Sequence, residues 1–145
     1  METLQELMKK LLADTFAMYL KAHNYHWNVE GPYFIQLHDF FGKLYLELHA
    51  AVDPMAEEIR AMDTYVPGSF KRFGELTEVQ DELSVPSAME MVSRLEADNQ
   101  KVLKTLDLAF KLANKFDKQG LADFLSARID IHNKHSWMLK AIIKK

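Results

Sequence analysis

"FIQLHDFFGKLYLELHAAVDPMAEEIRAM", residues 34–62, decides the fold. Leu37, Phe41, Leu44, Leu48, Met55, Ile59 and Met62 recur at steps of three, four or seven, which draws one apolar stripe along a helix. The spacing predicts a single helix from Phe34 to about Met62. Upstream, Leu4, Leu7, Leu11, Phe16, Tyr19 and Ala22 keep the same period and predict a first helix over about 4–27, stopped by Gly31–Pro32. Downstream, "DTYVPGSFKRFGEL", residues 63–76, carries Pro67, Gly68 and a candidate cap at Ser69, which predicts a short crossing helix around 70–76. A third long helix is expected to open at "SVPSAME", residues 84–90, with Pro86 near its first turn, and to run to about Lys115. Gly120 punctuates, and a fourth long helix covers about 121–143.

Four long helices with one longer connection between the second and third form an all-α four-helix bundle with a short helix in the crossover, the ferritin-like variant of the bundle. The 145 residues, 48% of them apolar, suit one domain over 1–145 with a real core. Gly (5) and Pro (4) are few and helix formers are plentiful. A net charge of -3 offers no field that would draw nucleic acid or a membrane surface. There is no cysteine, so thiolate chemistry and disulfides are excluded. The opening "METLQELMKKLLADTF" reads as helix rather than signal peptide, and no apolar run is long enough to span a membrane. A cytoplasmic protein is expected. Phe40, Tyr45, Phe70 and Phe73 are expected to remain for contacts between chains.

Within this frame, two histidines and two carboxylates stand out. His26 ends the first helix and His38 begins the second, on either side of the Gly–Pro break. Asp53 and Glu57 lie at i and i+4, so both project from one helix face. Two imidazoles and two carboxylates make a mixed nitrogen–oxygen set suited to iron or zinc. Asp53–Pro54 also fits a plain N-cap followed by the first residue of a restarted helix. Fifteen positions separate His38 from Asp53, about 22 Å at about 1.5 Å per helical residue. Metal bonds are about 2 Å long. One chain therefore cannot close the four around a single ion. Either they form no common site, or two copies of the second helix, antiparallel about a two-fold axis, complete two identical sites per dimer.

The remaining histidines read as structural. His23 and His49 sit on mixed faces. His132 and His135, at i and i+3 in "IDIHNKHSWM", have no evident carboxylate partner. The HExxH zinc signature is absent, and Glu47 and His49 in "ELHA" miss the Glu-x-x-His spacing of an intrachain di-iron centre.

These residues resemble the Dps family, the miniferritins. "HNYHWNVEGPYFIQLHDFF" (23–41) followed by "VDPMAEEIRAM" (52–62) is similar to that family's signature, and "HNKHSWMLKA" (132–141) to its last-helix motif. The resemblance spans nearly the whole chain. It implies a dodecameric shell, built from two-fold dimers, around an iron-storing cavity. It implies a ferroxidase centre at the dimer interface, with His26 and His38 of one subunit facing Asp53 and Glu57 of its neighbour, and Fe2+ oxidised to Fe3+ by hydrogen peroxide. Trp27 matches the family's tryptophan beside the iron, a short-range electron donor; its other reading is a packing aromatic. Asp123, with Asp117 and Asp130 behind it, is the candidate lining of an ion-entry pore; the alternative for all three is surface solvation.

The chain departs from the family twice. Many members carry an acid one turn after the second histidine, where this chain has Gly42. Members that bind DNA often use a Lys/Arg-rich tail, whereas only Met1, Glu2 and Thr3 precede the first helix here and the chain ends "LKAIIKK". Few phosphates would be neutralised, so DNA is expected to be a lesser partner than iron. The competing classes are a nucleoid-associated DNA-protecting protein with incidental histidines, and a plain helical interaction module.

Overall fold

Thr3 starts the first helix. Its hydroxyl accepts from the Glu6 N–H at 3.1 Å while the Glu6 carboxylate accepts from the Thr3 N–H at 2.8 Å, a reciprocal cap that satisfies two of the free donors of the first turn. In the computed structural model, which describes residues 1–144, α1 runs Leu4–Asn28, α2 Phe34–Ala61, α3 Phe70–Leu76, α4 Ala88–Lys115 and α5 Gln119–Ile143. No strand occurs among the described residues. The fold is the all-α, ferritin-like bundle with a short helix in the crossover.

The apolar stripe of α2 is its buried face: Leu37, Phe41, Leu44, Leu48, Met55 and Ile59 are all buried. Pro54 lies inside this helix and does not end it. A proline removes one donor, leaving the Ala50 carbonyl without its helical partner. Ala50 and Pro54 both face solvent, so water can take that carbonyl. Asp53 is therefore not the N-cap of a restarted helix, and α2 is one rod of 28 residues.

Two expected boundaries move. Ser87 caps α4 by accepting from the Glu90 N–H at 3.3 Å, so Pro86 precedes the cap instead of occupying the first turn. The break before α5 falls at Asp117, whose φ of 54° turns the chain left-handed, with the Lys118 N–H closing on the Ala113 carbonyl at 2.8 Å. Asp tolerates that conformation well, so Gly120 is free to sit within the first turn of α5.

Helix α1 packs on α2, α4 on α5 and α1 on α4, and the short α3 lies against α1. Of the four aromatics expected to remain for other chains, only Phe70 stands well exposed. Phe40, Tyr45 and Phe73 are half-buried against the chain's own core.

The interior also holds charge. Lys21 on α1 pairs with Asp98 on α4 at 2.9 Å, both buried. Glu47 on α2 receives Arg128 of α5 through both terminal nitrogens, at 2.5 and 3.1 Å, and His135 at 2.8 Å. His135 thus has a carboxylate partner that its own sequence neighbourhood does not show. Burial pushes the Glu47 carboxyl up, but hydrogen bonds from His135 and Arg128 outweigh burial and bring it to about 2, from an ordinary 4.5. A carboxyl depressed on folding contributes stability that is complete above 4.5 and fades as pH falls toward 2. Glu47→Gln is expected to lower stability at neutral pH by somewhat less than the ~3–5 kcal/mol of a fully buried broken pair, and to flatten the loss of stability below pH 4.5. Urea unfolding from pH 2 to pH 7 would check both.

Candidate metal centre

The loop of Gly31 and Pro32 returns the chain so that the end of α1 meets the start of α2. Gly31 takes a φ of 112°, a conformation that side-chain-bearing residues avoid. His26 and His38 are thereby brought face to face, with rings stacked at a centroid distance of 3.8 Å and 15° between planes. Each ring bonds the other residue's backbone: His26 Nδ1 donates to the His38 carbonyl at 2.7 Å, and His38 Nδ1 donates to the His26 carbonyl at 2.6 Å. A carbonyl only accepts, so in both rings the hydrogen is on Nδ1. In its neutral form each ring then has a bare Nε2 lone pair. That is the state in which histidine ligates a metal, with the other nitrogen tied to a backbone oxygen.

Gly42 completes the seat of His26. A β-carbon at that position would lie 3.1 Å from His26 Nδ1 and 3.2 Å from its Cε1. The ring cannot easily yield, because it is held on one side by the His38 carbonyl and stacked on His38 itself. Behind it, Tyr45 lies 5.2 Å from the His26 ring and stacks on His23 at 3.7 Å, 6° from parallel. Burial, then the neighbouring His26 and His49, lower the pKa of His23, which favours a neutral ring in the stack. Tyr19 adds a hydrogen bond to His23 Nδ1 at 3.1 Å. Trp27 rests on His23 with 3.9 Å between ring centres and remains 59% exposed. Sequence spacing shows His23 and His26 on neighbouring turns, but it does not show Tyr45 and Gly42 closing around them.

Asp53 and Glu57 stand far along α2, both exposed. A hydrogen bond with Asp53, then its charge, raises the Glu57 carboxyl above its ordinary range. Two carboxylates placed this way are relieved by a proton or by a cation. Within the chain they do not meet the histidines, and no group of three or more His, Cys, Asp or Glu able to hold a metal exists among the described residues. Asp39, beside His38, is paired with Lys43 at 3.0 Å.

Asp117 forms the turn before α5, Asp123 is exposed on the second turn of α5, and Asp130, also exposed, pairs with Lys134 at 3.3 Å.

The ferritin-like domain family matches residues 5–145. "DNA protection during starvation protein 2" of Bacillus anthracis is 31% identical over 140 residues, which cover 97% of this chain and 96% of that protein. A solved Dps protein from Bacillus brevis superposes with a TM-score of 0.93 at 31% identity, over 99% of this chain and 100% of that one. The Dps protein of Vibrio cholerae, described as a member of a superfamily of ferritin-like diiron-carboxylate proteins, superposes with a TM-score of 0.94 at 25% identity, over 97% and 89% of the two chains.

Nitrogen NMR of the histidine rings is expected to show both His26 and His38 protonated at Nδ1 and bare at Nε2. Gly42→Ala should displace His26, mix its tautomers and leave His38 less affected, at an overpacking cost of about 1–3 kcal/mol. An unaltered His26 signal in the variant would refute the packing argument.

Proposed function

The chain belongs to the Dps family of ferritin-like proteins, and on that premise we propose that it oxidises Fe2+ at sites shared between two subunits and stores the Fe3+ product inside a shell of twelve. The observation that carries this reading is the length of α2. It holds His38 near its start, with His26 of α1 stacked on that ring, and a carboxylate pair about 22 Å away along the same uninterrupted helix. Two copies packed antiparallel would bring His26 and His38 of one against Asp53 and Glu57 of the other, twice per dimer. The exposure of Ile35 (75%) and Leu46 (59%) on the same helix supports burial of this face against a second copy.

In this reading iron is the substrate. Nitrogen ligands tolerate Fe2+ and carboxylate oxygens favour Fe3+. Asp53 and Glu57, which repel each other when both are ionised, gain by binding the cation. Two Fe2+ give one electron each to hydrogen peroxide, which takes up two protons and leaves as two waters, so no hydroxyl radical is released. His26, Asp53 and Glu57 form the stronger position. His38 serves a second iron that lacks the carboxylate Gly42 does not provide. Trp27 would give an electron at short range. Asp123, Asp117 and Asp130 would gather Fe2+ at the entry. Zn2+ suits the same donors and would compete.

A second reading, protection of DNA, is favoured by the name of the Bacillus anthracis relative. It is opposed by the net charge of -3.

The shared site has a stoichiometric test. His26→Ala and Asp53→Ala shells should each lose most peroxide-dependent iron oxidation. Shells reassembled from an equal mixture should recover about one quarter of the parental sites, because half the dimers are mixed and each restores one of its two sites. Ferric absorbance after anaerobic Fe2+ and peroxide addition reads this. Mixtures as inactive as either variant would remove the shared-site reading. Gel shifts over a salt series, with steep salt dependence and no iron oxidation, would move the conclusion to DNA.

A further inference from the structure

Gly42 follows His38 by one turn of α2, and His49 precedes Asp53 by one turn. The two steps are equal, about 6 Å along the axis, and both run inward toward the middle of the rod. An antiparallel pair of α2 helices that sets His38 of one copy against Asp53 of the other therefore sets Gly42 against the partner's His49. The register follows from the helical rise and rests on the shared-site reading. Gly42 and His49 also share a face, because seven residues make about two turns. Ile35 lies seven residues before Gly42, and Leu46 lies between Gly42 and His49, so the exposed apolar residues of the dimer face belong to the same stripe.

One side of this pairing is hollow and the other is bulky. Outside the backbone of its own helix, a β-carbon on Gly42 would meet nothing within 4 Å except the His26 ring. The surface there is a concavity of about 450 Å³ whose walls include His26, His38, Gly42, Tyr45 and Leu46. His49 is exposed, with its ring 4.8 Å from that of Tyr19. Its spacing to Asp53 and Glu57 is i, i+4 and i+8, yet within one chain these three make no group able to hold a metal. Read alone, His49 is a surface histidine with no task. Only the register of two copies gives it one.

We propose that the partner's His49 enters the hollow over Gly42 and gives an imidazole nitrogen to the second metal position, beside His38, in place of the carboxylate that Gly42 does not provide. Gly42 and His49 then form one exchange. The side chain is removed from the wall on which the His26 ring is seated, and a ligand returns from the opposite chain with the bulk to fill the space. The exchange also changes the chemistry. A neutral imidazole replaces an anionic carboxylate, so the second position carries one negative charge fewer. Imidazole suits iron, cobalt and zinc, whereas Mg2+, Ca2+ and Mn2+ prefer oxygen. The second position is thereby tuned to the borderline transition metals.

The test counts bound metal and needs no oxidation. Iron-free assembled protein is titrated with Co2+ alone. His49→Ala is expected to bind about one Co2+ fewer per chain than the parent, with helicity unchanged because His49 is exposed. In the parent, Zn2+ should shift one ring nitrogen of His49 in nitrogen NMR. Protein reassembled from equal amounts of His38→Ala and His49→Ala should recover about one quarter of the second-position Co2+, since half the dimers are mixed and each restores one of its two sites. Asp53→Ala separates this inference from the reading beneath it. If Asp53→Ala loses Co2+ while His49→Ala binds as much as the parent, the role of His49 is overturned and the shared site stands. Loss in His49→Ala with no recovery in the mixture also overturns it. If Asp53→Ala binds Co2+ like the parent, the shared site falls and His49 falls with it.

Discussion

The backbone hydrogen-bond ladder of α2 sets the terms for the rest of the molecule. A helix holds its ends apart at a fixed rise per residue, and Pro54 removes one bond of the ladder without bending the rod into two pieces. Everything placed along α2 is therefore placed at a known separation. Its buried face supplies part of the core. Its outer face carries the imidazole end and the carboxylate end of the proposed site. Had Pro54 broken the helix, the two ends could have approached within one chain, and nothing would have required a second copy.

The period of apolar residues made most of this legible. Leu37, Phe41, Leu44 and Leu48 specify the stripe, and the distance from His38 to Asp53 follows by counting. Where sequence reading erred, a local choice between two similar signals was at stake. Ser87 and Pro86 are adjacent, and the side-chain oxygen won the cap. Asp117 and Gly120 both tolerate a turn, and the aspartate took it. At Asp53–Pro54, which also has the form of a cap, the reading of one continuous helix held.

The parts that were not legible are those made by distant residues. Glu47 meets Arg128 and His135 across 81 and 88 positions, and no short motif announces such a meeting. Gly42 is the clearer case. In sequence it reads as a missing carboxylate. In the folded chain it is the space in which the His26 ring lies. A small residue there exchanges one possible ligand for the exact seating of another. The polar interior and the histidine pair also share a device: His26, His38 and His132 each have the tautomer chosen by a carbonyl or amide oxygen.

The crossed bonds between His26 and His38 carry a consequence for the order of events in the cell. They form within the α1–α2 hairpin, between residues twelve positions apart, so this half of the proposed centre is complete once the hairpin closes. The carboxylate half can arrive only with another molecule. Under the shared-site proposal, a newly made subunit is thus a poor iron trap until it has found its twin. Capture of a reactive ion then begins only when there is a container forming to receive it.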